Sequence, residues 1–202
     1  MIIEIITRCT RPENLKYIMK SIFSSTNSSI INWRIIIDTS QVKIIDFNIL
    51  KALHKYQIYY WRGKNLDYGY TLINRLLNKI DEESWIYILD DDNELHEKFY
   101  AVCDIITNHP DKEVIIFSQK VDKKDFTNLH IRESCAENMK VGGVDVAQML
   151  VKKSAIGNLR FQATNGKSNY TADGIFIEQL YKLYPDKFYF ESEVLSNYNS
   201  LV

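Results

Sequence analysis

Three adjacent aspartates, Asp90, Asp91 and Asp92, follow directly after the apolar segment 85–89. Carboxylates this close repel one another, so a folded protein needs a reason to place them together. A divalent cation relieves the repulsion. Oxygen ligands suit Mg²⁺ or Mn²⁺, and such ions commonly carry substrate phosphates in their remaining coordination positions. The triplet therefore indicates a metal and a phosphorylated substrate, while a solvated acidic turn capping the next helix stays open as the alternative.

Other polar side chains stand just after the neighbouring predicted strands. The first strand is followed by Thr7, Arg8 and Arg11, the second by Asp38 and the third by Arg62. Ligands of an open α/β sheet bind beyond the carboxyl ends of its strands, so these side chains should converge on one rim. Arginine can hold phosphates, and a carboxylate can accept hydrogen bonds from a base or a ribose. Each residue alone reads as a surface charge, but together they predict a nucleotide cleft.

The elements that must position these residues alternate in type along the first half of the chain. β-branched and apolar runs predict strands at 2–7, 33–37, 57–61, 85–89 and 113–121. Apolar residues at helical spacing predict helices at 12–23, 47–56, 72–80 and 97–107. This alternation predicts the α/β class, with a mostly parallel sheet and helices on both faces.

The second half of the chain follows a different pattern. Residues 122–139 are polar and show no clear element, and Gly142-Gly143 predicts a bend. A strand is expected at 146–152, a loop at 157–170, a helix at 173–184 capped by Thr171, and short strands at 188–190 and 194–198. With no linker in the sequence, we expect one domain, 1–202, with a nucleotide-binding half (1–121) and an acceptor-side half (122–202).

Composition limits the class of partner and the compartment. The 25 basic and 26 acidic side chains give a net charge of −1 without a basic patch, so no nucleic-acid partner is expected. Cys9, Cys103 and Cys135 are odd in number and widely spaced, which indicates reduced thiols and not a zinc site. Neither a signal peptide nor a transmembrane run of ~18–20 apolar residues is evident. We expect a cytoplasmic protein, with peripheral contact at the inner face of a membrane left open.

Several segments, in their order along the chain, resemble glycosyltransferases of the GT-A fold, of the family 2 type. The matching segments are IIEIITRCTRPENL, IIID, RGKNLDYGYTLINRLL, WIYILDDDNEL with the DxD motif within Asp90-Asp91-Asp92, VGGVDVAQMLVKKSAI and TADGIFIEQL. They cover nearly the whole chain, and their order is more specific than DxD, which is common by chance. The resemblance implies a Rossmann-like GT-A sheet and a hexosyltransferase. Such an enzyme uses a nucleotide-sugar donor, UDP-sugar favoured, with Mn²⁺ or Mg²⁺ and a glycan or other hydroxyl acceptor.

The resemblance also implies a role for each site residue. The nucleoside would meet Thr7, Arg8, Asp38 and Arg62, and the pyrophosphate side would be lined by Asn65 and Gly69. Arg11 and Asp91 belong with the donor-binding residues. Asp90 would meet the ribose or sugar, Asp92 the metal, and Asp145 the sugar or acceptor. Asp173 would be the catalytic base of an inverting enzyme.

The late helix departs from the family pattern at one position. The usual ED pair is Ala172-Asp173 here, so Glu178, more than one helical turn further on, is a second candidate base. The start of a helix favours the ionised form of Asp173, which suits a base and equally suits a plain helix-start acid. Asp145 has its own structural alternative as a turn residue beside Gly143. Inversion and retention both stay open.

Two other classes compete with a transferase. A non-catalytic nucleotide-sugar-binding protein with the same fold would keep the cleft without turnover, and measured donor hydrolysis separates the two. A sugar nucleotidylyltransferase is less favoured. It needs a glycine-rich loop after the first strand, where this chain has TRCTRPEN.

Overall fold

The computed structural model describes residues 1–25, 30–42, 45–53, 56–62, 69–121, 130–162 and 171–201. Its strands are β1 (Ile3–Cys9), β2 (Ile31–Asp38), β3 (Gln57–Trp61), β4 (Trp85–Ile88), β5 (Glu94–Leu95), β6 (Val114–Val121), β7 (His130–Arg132), β8 (Met149–Lys152) and β9 (Phe188–Tyr198). Its α-helices are α1 (Leu15–Ser25), α2 (Phe47–Ala52), α3 (Tyr70–Leu77), α4 (Ala101–Asn108), α5 (Lys153–Ile156) and α6 (Ala172–Leu183).

The described strands form one sheet in the order β3-β2-β1-β4-β8-β6-β9-β5, with β7 paired to β6. Strands β1 to β4 pair in parallel, and so do β6 and β9. Strand β8 lies antiparallel between β4 and β6. The predicted α/β class and mostly parallel sheet are therefore confirmed. Parallel pairing also places the ends of β1, β2, β3 and β4 along one edge.

Helices cover both faces of this sheet because successive strand residues point to opposite sides. Ile5 of β1 belongs to the apolar core that contains Ile18 of α1 and Val102 of α4. Ile6, the next residue, belongs to the core on the other face, with Leu76 of α3 and residues of α6. Helices α3 and α6 therefore lie on the same face of the sheet, and both begin beside the cleft described below.

Several elements differ in extent from the prediction. The strand expected at 146–152 opens as a 3₁₀ turn, Val146–Gln148, and becomes β8 only at Met149. The two late strands are one, β9, whose register to β6 shifts beside Phe117 and Ser118. The helix expected from residue 97 starts at Ala101, after a turn. In the unassigned segment, β7 and a 3₁₀ turn at Ala136–Asn138 appear, where short polar stretches give no periodic signal.

The predicted bend at Gly142-Gly143 packs closely against its surroundings. A Cβ atom on Gly143 would lie 2.2 Å from the Asn138 carbonyl oxygen. A Cβ atom on Gly174, in the first turn of α6, would lie 3.0 Å from the Val141 Cα atom. Glycine at these positions lets the bend and the start of α6 approach each other. Asp145 and Asp173 thereby reach the same cleft.

Candidate active site

An open cleft of about 370 Å³ lies at the carboxyl ends of β1, β2 and β4. That volume falls within the range of ~300–1,000 Å³ found for small-molecule sites. The predicted site residues that line it are Arg8, Arg11, Asp38, Gly69, Asp90, Asp91, Asp92, Asp145 and Asp173. The structure thus brings both halves of the predicted site into one cavity.

Asp90 is held by an arginine from the neighbouring strand. Arg8 Nε donates to Asp90 Oδ1 at 2.7 Å, and Arg8 Nη2 donates to Oδ2 at 2.5 Å. The Arg8 guanidinium also lies 4.6 Å from the ring centroid of Tyr70. The guanidinium group of Arg8 thus binds both carboxylate oxygens of Asp90, so Asp90 lies in the cleft as one partner of an ion pair.

Asp91 is bound mainly by backbone amides. Its Oδ2 accepts from the backbone N–H groups of Thr10 (2.5 Å) and Arg11 (2.6 Å), and from the Thr10 hydroxyl at 3.0 Å. The residue is only 4% exposed. Burial raises the pKa of the Asp91 carboxyl, and Arg11 and the two backbone amides act against that rise. Asp91 therefore ties the turn after β1 to the turn after β4, which is a structural role beyond the predicted donor contact.

Of the two acids that contact Arg11, Asp92 is the more exposed to solvent. Arg11 Nη1 lies 3.1 Å from Asp92 Oδ2 and 3.3 Å from Asp91 Oδ1. The side chain of Asp92 keeps 21% of its surface exposed, against 5% for Asp91. Burial and the charge of Asp90 raise the pKa of Asp92, and Arg11 opposes them.

The start of α3 shapes the space around Arg8. Gly69, the N-cap of α3, has φ +78°, and a Cβ atom there would lie 3.4 Å from Arg8 Cδ. The next residue, Tyr70, is buried and lies against the Arg8 guanidinium, and burial raises the pKa of its phenol. No sequence signal singles out Tyr70, because a tyrosine at the start of an amphipathic helix is typical of a core residue.

Asp145 lines the cleft and is the N-cap of the 3₁₀ turn Val146–Gln148. Its Oδ1 accepts from the Ala147 N–H at 2.9 Å, and its own N–H donates to Gln148 Oε1 at 3.1 Å. Its Oδ2 lies 3.7 Å from Arg132 Nη1. Burial, with the charges of Asp173 and Asp90, raises the pKa of Asp145 to about 7. The sequence predicts two alternatives for Asp145, a turn residue or a residue of the cleft. In the structure Asp145 is both.

Tyr198, the last residue of β9, lines the cleft beside these acids. Its ring centroid lies 5.0 Å from the Arg132 guanidinium carbon. Burial and the charge of Asp145 raise the pKa of the phenol. Sequence reasoning missed Tyr198 because its β-strand position carried no motif.

Asp173 occupies the first turn of α6, as predicted. Its Oδ1 accepts from the Gly174 N–H at 2.9 Å. Burial and the charge of Asp90 nevertheless raise the pKa of Asp173, so burial outweighs the helix start that was expected to favour the ionised form. Thr171 stands at the N-cap but makes no capping hydrogen bond through its side chain.

The second candidate base is engaged elsewhere. Glu178 Oε1 accepts from Lys182 Nζ at 2.5 Å, an i to i+4 ion pair along α6. Lys182 lowers the pKa of Glu178. A lowered pKa makes a carboxylate a poorer proton acceptor, so the structure favours Asp173 over Glu178.

Three predicted nucleoside contacts have different outcomes. Asp38 lines the cleft, and its Oδ1 accepts from the Ser40 backbone N–H (2.8 Å) and hydroxyl (2.6 Å). The side chain of Thr7 is fully buried, and its hydroxyl accepts from Trp33 Nε1 at 2.9 Å, so it faces the packed interior instead of the cleft. Arg62 is exposed after β3. Asn65 lies outside the described residues.

The donor atoms at this rim suit a hard divalent cation. Carboxylate oxygens are the ligands that Mg²⁺ and Mn²⁺ prefer, and Asp92 presents a carboxylate that is open to the cleft. Within the described part of the chain, no group of three or more His, Cys, Asp or Glu side chains is arranged to hold a metal ion. Asp92 could supply one carboxylate ligand to such an ion, with substrate phosphates and water as the other ligands.

No protein-family profile and no curated protein matches the sequence. Among solved structures, a fragment of S. aureus TarS, residues 1–349, matches with a TM-score of 0.70 and 10% identity over 98% of this chain and 60% of the fragment. Two structures of the same fragment with bound ligands also match, each with a TM-score of 0.68 and 10% identity over 98% of this chain. The match covers 58% of the fragment in the complex with UDP-GlcNAc and 60% in the complex with UDP.

TarS is a glycosyltransferase of the GT-A fold, so the match confirms the GT-A fold that the sequence resemblance predicted. This chain spans about 60% of the TarS fragment and 36% of a longer TarS chain. No helix in the described ranges is long and apolar enough to cross a membrane.

The contrast between Asp91 and Asp92 gives a stability prediction. Asp91→Ala leaves two backbone N–H groups without their acceptor, so we expect a loss of about 2–4 kcal/mol in the free energy of unfolding. Asp92→Ala removes a more exposed partner of Arg11 and should change stability by less than about 1 kcal/mol. Urea unfolding of both variants measures the difference. Equal losses would contradict the structural role of Asp91.

The raised pKa of Asp145 gives a pH prediction. Because the folded-state pKa is about 7 and the ordinary value is 3.8, the folded protein retains a proton that the unfolded chain has released. This stabilising contribution is full below the ordinary pKa and is lost as the pH rises through about 7. The free energy of unfolding of Asp145→Asn should therefore rise relative to that of wild type, by about 2 kcal/mol as the pH increases from roughly 5 to 8.

Asp111→Asn is the matched control, since Asp111 is exposed and its hydrogen bond with Lys112 lowers its pKa. The difference in free energy of unfolding between Asp111→Asn and wild type should stay constant over the same pH range. The measurement is urea unfolding of the three proteins at both pH values. A constant difference for Asp145→Asn would contradict the raised pKa.

Proposed function

We propose that the protein is a metal-dependent glycosyltransferase that moves a sugar from a nucleotide-sugar, with a UDP-sugar as the favoured donor, to a hydroxyl group of a glycan or another acceptor. One observation carries the proposal. A GT-A fold that matches over 98% of the chain has its acid-rich cleft at the carboxyl ends of β1, β2 and β4. Ligands of open α/β sheets bind at such ends.

The nucleotide-binding half would hold the donor. Asp38 lies at the β2 end of the cleft, where a carboxylate can accept hydrogen bonds from a base or ribose. Arg8 and Arg11 supply positive charge beside the position proposed for the diphosphate, and Gly69 leaves the backbone accessible there. TarS fragments were crystallised with UDP and with UDP-GlcNAc, which favours uracil as the base here as well.

Asp92 is the residue proposed to hold Mn²⁺ or Mg²⁺. A divalent ion neutralises the leaving diphosphate as a Lewis acid. Arg11 would keep the Asp92 carboxylate oriented through the 3.1 Å contact. Asp90, with both oxygens engaged by Arg8, is better suited to meet a ribose or sugar hydroxyl than to bind the ion.

The acceptor-side half would supply the proton chemistry. In the proposed reaction the acceptor oxygen bonds to the anomeric carbon of the sugar, the bond from that carbon to the diphosphate breaks, and the hydroxyl proton passes to Asp173. A carboxylate with a raised pKa is a stronger proton acceptor, which suits this role. Asp145, fixed by its capping hydrogen bonds, would orient the sugar or acceptor.

The proposal is tested first by donor binding. Thermal-shift titration with UDP-GlcNAc and other nucleotide-sugars should raise the melting temperature in Mn²⁺ and not in EDTA, because only the folded state binds the ligand. Asp92→Ala should fold and lose this shift, while the exposed Asp111→Ala should keep it. The absence of a shift with all donors in Mn²⁺ would overturn the proposal, and binding without transfer or hydrolysis would identify a non-catalytic binding protein.

The base is tested by turnover. Asp173→Asn keeps the size of the side chain and an acceptor for the Gly174 N–H but cannot take a proton. We expect kcat to fall by ~10²–10⁴ with donor affinity nearly unchanged. Glu178→Gln, on the same helix and paired with Lys182, should change kcat by less than about 3-fold. Wild-type kcat in Asp173→Asn would show that another group takes the proton.

A further inference from the structure

The turn that carries the aspartate triplet is tied from behind by a buried asparagine. Asn14 Nδ2 donates to the backbone oxygen of Asp91 at 2.8 Å and lies 3.3 Å from that of Leu201, also as a donor. Asn14 is only 6% exposed. Its amide joins three parts of the chain that are far apart in sequence: the segment after β1, the triplet and the end of the chain described here. None of these contacts uses a carboxylate of the triplet.

A second set of ties comes from the segment 199–201, called here the C-terminal turn. The backbone N–H of Leu201 donates to the backbone oxygen of Asp92 at 3.1 Å. The backbone N–H of Asn199 donates to Asn93 Oδ1 at 2.9 Å, and Asn93 is 1% exposed. The C-terminal turn directly follows Tyr198, which lines the cleft. The back of the triplet and one wall of the cleft are therefore built on the same segment.

We infer that Asn14 and the C-terminal turn are positioning elements for the donor and metal site. The inference rests on the proposed function. The three carboxylates repel one another, and each depends on donors from residues 8–11, so a small rotation of their turn would misalign all three. Functional groups need their positions fixed within about 0.5 Å by supporting hydrogen bonds. The backbone carbonyls of Asp91 and Asp92 accept hydrogen bonds from Asn14 and Leu201, and neither donor residue lines the cleft.

Asn199 offers a matched pair of variants. Among the described residues other than glycine, Asn199 alone has a positive φ, at 54°. Asparagine and glycine adopt this left-handed conformation readily, and a β-branched residue does not. Asn199→Gly should keep the turn and its backbone N–H bond to Asn93. Asn199→Val should displace the turn, although the side chain of residue 199 is not part of either tie.

The experiment compares wild type with Asn14→Leu, Asn199→Val and Asn199→Gly, each well below its melting temperature. The first readout is amide hydrogen exchange of Thr10 and Arg11, whose N–H groups bind Asp91 and report the triplet directly. The second is the dissociation constant of UDP in the presence of Mn²⁺. We expect faster exchange and about 10-fold weaker UDP binding in Asn14→Leu and Asn199→Val. Asn199→Gly should match wild type in both.

Unchanged exchange in folded Asn14→Leu and Asn199→Val would overturn the inference, and so would faster exchange with unchanged UDP affinity. Should Asn14→Leu fail to fold, the Asn199 pair decides alone. Equal behaviour of Asn199→Gly and Asn199→Val would then count against the positioning role. If wild type does not bind UDP in Mn²⁺, the proposed function fails, and the exchange rates still decide whether the two ties hold the triplet.

Discussion

The candidate site depends on the pairing of three adjacent carboxylates with donors from residues 8–11. Each acid is neutralised in a different way. Asp90 binds the guanidinium group of Arg8, Asp91 binds backbone N–H groups, and Asp92 forms an ion pair with Arg11. The charge-assisted hydrogen bonds of Asp90 and Asp91 are stronger than neutral ones, and together with the Arg11–Asp92 ion pair they offset both the mutual repulsion of the acids and their loss of water. Because the partners come from one short segment, the two turns are fixed as a unit.

Sheet topology makes that unit possible. β1 pairs directly with β4, with Ile3 opposite Trp85 and Ile6 opposite Ile88, so the residues after both strands leave the sheet side by side. The antiparallel β8 between β4 and β6 then brings in its preceding turn, where Asp145 caps a 3₁₀ helix. The close approach of Gly174 to Val141 brings in the start of α6. The aspartate triplet, Asp145 and Asp173, which come from three distant parts of the chain, thus reach one cleft.

The sequence predicted the alternating strands and helices well, because hydrophobic periodicity is a local signal. The rule that ligands bind at the carboxyl ends of parallel strands then predicted the edge of the sheet at which the cleft lies. It could not distinguish Asp91 from its neighbours, since the distinction lies in which carboxylate meets the amides of Thr10 and Arg11 across a parallel strand pair. Position after the first strand and the family resemblance both predict a nucleoside contact for Thr7, but its side chain is buried and accepts a hydrogen bond from Trp33 instead. Tyr70 and Tyr198 were missed because their contribution comes from three-dimensional proximity to Arg8 and Asp145.

The distribution of positive charge separates the two sides of the cleft. On the side proposed to hold the donor, Arg8 lies 2.5 Å from Asp90 and Arg11 lies 3.1 Å from Asp92, so both guanidinium groups are ion-paired with acids of the cleft. On the side proposed to meet the acceptor, Asp145 lies 3.7 Å from Arg132 Nη1, and Asp173 accepts a hydrogen bond from the backbone N–H of Gly174. Burial is the largest cause of the raised pKa of Asp145 and Asp173, as it is for Asp91 and Asp92, where Arg11 opposes the rise. A raised pKa makes the ionised form of Asp173 a stronger proton acceptor, and acceptance of a proton is the role that the proposed reaction assigns to it.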